Sequence, residues 1–123
     1  MTKPVQSIIH QIAVRMEEEI FKLFNEGGLE GLCRNCREVQ AITANAALDL
    51  IRGCAEELDE IMCKDKVFRQ EQGLKIHQRN IERTVLLSIG ELKYKRTSFK
   101  AEGQEGLVYP VDNYLGIDKR FFC

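Results

Sequence analysis

Cys33 and Cys36, with Arg34 and Asn35 between them, have the spacing by which two thiolates reach one tetrahedral zinc or form a redox pair. A structural zinc needs two further ligands. Cys54 and Cys63 fall on different turns of an expected helix, and His77 is the nearest imidazole, so no ligand set is complete. The thiols are therefore read as reduced, small apolar side chains, and no metal ligand is assigned. His10 and His77 have no Ser, Cys or Asp arrangement around them that would make a nucleophile and base. Glu17 to Glu19 and Glu56 to Glu60 belong to helical surfaces, while Asp112 and Asp118 stand near the end of the chain. These acids form no readable convergent set for magnesium. Gly27-Gly28 and Gly103 to Gly106 lack the strand, lysine and helix of a phosphate loop.

The basic residues are more informative. The 123 residues carry 18 bases and 19 acids, a net charge of -1, but the balance is uneven along the chain. Residues 1–64 hold 7 bases and 11 acids, whereas 66–100 hold nine bases against three acids. A local positive field of this kind suits a polyanion. Phe68, Tyr94 and Phe99 lie among these charges, a mixture that fits phosphate contact and base stacking. The plainer reading is a solvated face on a half-buried hairpin.

The elements that position these residues follow from periodicity. Val5, Ile9, Ile12, Met16, Ile20 and Leu23 recur at three or four, which predicts an amphipathic helix over 3–25, with Pro4 in its first turn and Gly27-Gly28 ending it. A second helix is expected over 29–64, with an interruption near 31–35. Its later half repeats Ala44, Ala47, Ile51, Cys54, Leu58 and Ile61 as a packing seam. Two such helices joined by a glycine turn fold back as a hairpin and enclose too little core alone, which points to self-association. Beyond residue 64 the period falls to two. Strands are expected at 82–88 and 91–99 about a turn that uses Gly90 at positive φ, with Lys93 and Lys95 on one face and Leu92 and Tyr94 on the other. A third strand at 107–109 ends at Pro110. The fold class is thus α+β, a helical segment 1–64 followed by a basic hairpin segment 65–123. No apolar run is long enough for a membrane span and no leader pattern is present, so the chain is read as cytoplasmic. The apolar end Phe121-Phe122-Cys123 reads as a chain cut short.

Around the hairpin the residues are more specific than a strand pair. Arg83-Thr84, Ser88, Gly90-Glu91, Leu92, Tyr94, Arg96 and Phe99, followed by Tyr109, Val111-Asp112 and Leu115-Gly116, resemble the N-terminal region of ISLre-type insertion-sequence transposases over residues 79–117. Phe99 stands where tyrosine is common in that family, Val111 where leucine is, and Thr97 where a further base often follows. The resemblance implies a metal-dependent DNA transposase whose three catalytic acids lie downstream of this region. It therefore assigns no catalytic residue here, not even Asp112, and no cofactor to this chain, magnesium being implied only for the complete family protein. The expected role is that of an inactive N-terminal fragment. It contacts DNA through Lys75, Arg79, Arg83, Lys93, Lys95 and Arg96 and self-associates through its helices. The rival classes are a non-enzymatic helical interaction module and a small zinc-binding protein using Cys33 and Cys36.

Overall fold

The computed structural model describes residues 3–116, so Asp118 and the apolar end Phe121–Cys123 lie outside the described residues. Two long helices, α1 (Lys3–Arg34) and α2 (Cys36–Lys64), lead through a short α3 (Lys66–Glu71) to the strands β1 (Leu74–Leu87), β2 (Gly90–Ala101) and β3 (Leu107–Val108) and a final α4 (Pro110–Leu115). The class is α+β, with a three-stranded antiparallel sheet in the order β1-β2-β3. The chain divides into two compact units, Met1–Gly53 with Ser88–Gly90, and Cys54–Leu87 with Glu91–Cys123. The division falls inside α2 rather than at residue 64, because the last turns of that helix belong with the sheet.

In the first unit the corner is Gly28, whose φ of 64° and ψ of -155° break the helical path of α1. Only glycine adopts that backbone without strain. From there the chain is helical almost without pause to Lys64. The expected interruption shrinks to Asn35, across which the Asn35 N–H still donates to Gly31 O and the Val39 N–H to Asn35 O. The helices run antiparallel: Ile8 packs on Gly53, where a Cβ would come within 3.0 Å of Ile8 Cγ2, and Arg15 pairs with Asp49 at 2.6 Å. A glycine in mid-helix weakens the helix but lets a neighbouring side chain approach the backbone. Ile8 thus takes the packing place expected of Ile9, which is 39% exposed.

In the second unit the hairpin is longer than its alternating apolar stretch, because β1 begins at Leu74 among polar residues. The turn, grouped with the first unit, is Ser88-Ile89, and Gly90 follows at a φ of 136°, as expected of a glycine after a tight turn. The core holds Val85, Leu92, Tyr94, Phe99 and Val111, each at most 1% exposed. Beyond Phe99 and Lys100, which pair with Val108 and Leu107, no strand among the described residues pairs with β2 on the β3 side. Carboxylates of α2 take over there. Glu56 accepts from the Lys95 N–H at 2.9 Å, and Asp59 accepts from the Thr97 N–H at 2.8 Å and the Thr97 hydroxyl at 2.7 Å.

This arrangement explains why the seam expected on α2 is displaced. Its deepest positions are Ala46, Ala55, Asp59, Met62 and Cys63, whereas Ile61 stays 43% exposed. An acid counts against burial in any apolar pattern, yet Asp59 is buried because it completes the hydrogen bonding of β2. Replacing Asp59 by Ala strands two buried donors and is expected to cost about 3 kcal/mol in urea unfolding, while Asp59→Asn, which keeps one acceptor, costs less.

Candidate nucleic-acid interface

The six expected DNA contacts separate into three environments. Lys93 and Lys95 are exposed on β2, while Leu92 and Tyr94 between and beside them are buried. The period-two reading of this strand holds. The lysines share a face because side chains alternate along a pleated strand, and their long stems carry the ammonium groups out to water.

Arg79 on β1 is half exposed but engaged. Its Nη2 makes a short ion pair with Glu60, which also meets Lys64 Nζ at 3.4 Å. The Arg79 guanidinium, aided by Lys64, holds the Glu60 carboxyl below the usual carboxylate range, and Glu60 in turn raises Arg79. A phosphate reaching Arg79 must displace that carboxylate.

Arg83 and Arg96 are placed differently from the expectation. They are 6% and 8% exposed and turn inward onto Asp112 of α4. Arg83 Nη1 lies 2.8 Å from Asp112 Oδ2 and donates to the Tyr94 hydroxyl at 2.8 Å. Tyr94 donates to Asp112 Oδ1 at 2.5 Å. Arg96 Nε sits 3.3 Å from both carboxylate oxygens, its Nη1 donates to Ile81 O at 3.2 Å, and its guanidinium carbon stands 4.2 Å above the centre of the Tyr109 ring. Buried guanidiniums with these partners serve the interior of the sheet and present no open fork to a phosphate. Burial, reinforced by the Asp112 charge, pushes the Tyr94 hydroxyl up to about 12.

Lys75 is exposed at the start of β1 and lines an open cleft of about 510 Å³ with Arg69, Gln70, Gly73, Lys100 and Glu102. Arg69 and Lys100 belong to the basic segment but were not among the expected contacts. Lys75 and Lys100 lie unequal distances from the Ser88-Ile89 turn, and Asn80, within β1 at a φ of 59°, departs from regular strand backbone between them. Counting outward from the hairpin turn therefore does not reveal that they meet.

The aromatic residues are also placed differently from the expectation. Tyr94 and Phe99 are 1% and 0% exposed, so neither ring is available to stack on a base, and only Phe68 of the three is partly open. His77 Nδ1 lies 3.3 Å from Ser98 Oγ, but Ser98 is fully buried, and among the described residues no carboxylate is hydrogen-bonded to the imidazole. Cys63 is buried with its sulfur 3.2 Å from the Thr97 hydroxyl, whereas Cys33 and Cys36 are exposed on either side of the Asn35 break. Among the described residues no three His, Cys, Asp or Glu side chains converge as a metal site.

No protein-family model matches the chain, nor does any curated protein or solved structure.

Two measurements follow from the Asp112 cluster. Asp112→Ala leaves two buried guanidiniums without their counter-charge and is expected to destabilise the fold by about 3–5 kcal/mol in denaturant unfolding. Because Tyr94 has a higher pKa folded than unfolded, its contribution is complete below pH 10 and is lost as pH rises toward 12. It amounts to about 2–3 kcal/mol, and the difference in stability between wild type and Tyr94→Phe is expected to shrink over that window.

Proposed function

We propose that this chain is the DNA-contacting, self-associating front section of an insertion-sequence-type transposase, without catalysis of its own. The observation that carries the DNA part is the pair Lys93 and Lys95, exposed side by side on β2 while the strand's other residues from Leu92 to Phe99 are buried. A rigid strand that presents ammonium groups at a two-residue repeat gives a fixed row of positive charge, and such rows bind the phosphodiester backbone without regard to sequence. Lys75 is a further exposed lysine, on β1. Arg79 joins these lysines only by exchanging Glu60 for phosphate, and Arg83 and Arg96 support the sheet from within.

The resemblance to the transposase family rests on the residues from Arg83 to Gly116. Several of them, Arg83, Tyr94, Arg96, Tyr109 and Asp112, meet in the buried cluster, which fits a pattern fixed by architecture. Self-association draws support from α1, where Val14, Phe21 and Phe24 are 40%, 54% and 41% exposed on a face other than the one turned to α2. The same face favours the second reading, a non-enzymatic helical interaction module. Among the described residues no helix is long and apolar enough to cross a membrane.

Titration of labelled duplex at several salt concentrations tests the DNA part. The expected result is an affinity that falls steeply with salt and drops at least tenfold in Lys93→Glu/Lys95→Glu, with unchanged thermal stability. Affinity indifferent to salt rejects phosphate contact. Sedimentation separates the two parts: a concentration-dependent dimer that Phe21→Glu dissociates, in a protein that ignores DNA, leaves the interaction module standing alone.

A further inference from the structure

The cleft between α3 and the outer ends of β1 and β2 gathers three cations against one carboxylate among the described residues. The Glu102 N–H donates to Gly73 O at 2.8 Å, which sets these strand ends in antiparallel alignment. Lys75 and Lys100 each lie two residues inward from that bond, so they face one another across neighbouring strands, and both line the cleft with Arg69. Like charges opposed across a sheet are destabilising unless something of opposite sign lies between them. Glu102 is the single acid of the lining, against three cations. Among the described residues, Arg69, Lys75 and Lys100 all lack a carboxylate partner, and Arg69 Nε is buried with no hydrogen-bond acceptor. Elsewhere the same unit pairs its arginines with care: Arg79 with Glu60, Arg83 and Arg96 with Asp112.

A tetrahedral oxyanion placed in the cleft supplies the counter-charge that the three cations of its lining lack, and the Arg69 guanidinium can donate charge-assisted hydrogen bonds to it. Gly73 keeps the floor open. It has a φ of 64°, and a Cβ there would come within 3.2 Å of the Glu102 side chain. The volume is that of a nucleotide-sized ligand. We propose that this cleft is an oxyanion site that seats a phosphate group of a polynucleotide strand, held by Arg69 through hydrogen bonds and by Lys75 and Lys100 through charge. It rests on the reading above only in naming DNA as the bearer of the phosphate. It adds to that reading a seat for a single phosphate, separate from the Lys93 and Lys95 row.

Two titrations of the full chain distinguish the site from its bearer. In the first, inorganic phosphate is added at constant ionic strength and followed by amide NMR. The expected result is saturable shifts confined to residues around Gly73 and Ala101, with at least a tenfold loss of affinity in Arg69→Gln and in the exposed, structurally mild Lys100→Gln. Shifts spread over the whole surface, or affinity unchanged in both variants, overturn the proposal. In the second, binding of a 5′-phosphorylated oligonucleotide and of an unphosphorylated duplex is measured against salt. Lys75→Gln/Lys100→Gln is expected to flatten the log–log salt slope by about 2 for the duplex. A duplex that binds with its slope unchanged in this variant places the backbone elsewhere and overturns the polynucleotide assignment. Saturable phosphate binding without duplex binding removes the DNA reading and with it the bearer. Preference for the phosphorylated end over the duplex identifies a terminal phosphate as the occupant.

Discussion

One carboxylate organises the sheet unit. Asp112 is brought by α4 to a point where Arg83 from β1 and Arg96 and Tyr94 from β2 all converge, so three elements separated by up to 29 positions in sequence are tied through two oxygen atoms. Buried ion pairs are poor sources of net stability, since desolvating the charges consumes most of their attraction. Their strength is selectivity. Arrangements of these strands that leave either guanidinium without Asp112 carry a large penalty, whereas an apolar cluster of the same volume would tolerate a shifted register. Arg96 spreads its charge further by lying over the Tyr109 ring, and the Tyr94 hydroxyl bridges Arg83 and Asp112.

That constraint divides the basic residues by chemistry. Arginines, whose planar forks suit fixed hydrogen-bonded partners, are turned inward or paired, and lysines, whose flexible stems keep a hydrated ammonium in water, are left outside. Among the described arginines of this unit Arg69 alone departs from the division, and it does so at the cleft where two lysines oppose each other. The positive field read from residues 66–100 is thus narrower than their composition suggests, and it rests on lysine.

The sequence was legible where local periodicity decides the outcome. The α1 stripe, the Gly28 corner, the alternation from Leu92 to Lys95, the positive φ at Gly90 and the short strand before Pro110 follow from spacing and from what glycine and proline allow. The site was less legible because burial of a charged side chain depends on a partner distant in sequence. Arg83, Arg96 and Asp59 have the composition of a surface, and nothing within several residues of any of them reveals its acceptor or donor. The polar opening of β1 was missed for a related reason: Lys75 to Arg79 alternate no apolar residues strongly enough to signal a strand, and the pairing with β2 defines it.

The side-chain cover along β2 also bears on how the protein meets other copies of itself. Glu56 and Asp59 occupy the amides of Lys95 and Thr97 that a foreign strand would need, so the sheet is sealed there by a helix instead of by length or twist. Growth of ordered fibrils from that margin must wait for the last turns of α2 to unwind, which links resistance to amyloid-like polymerisation to helix integrity.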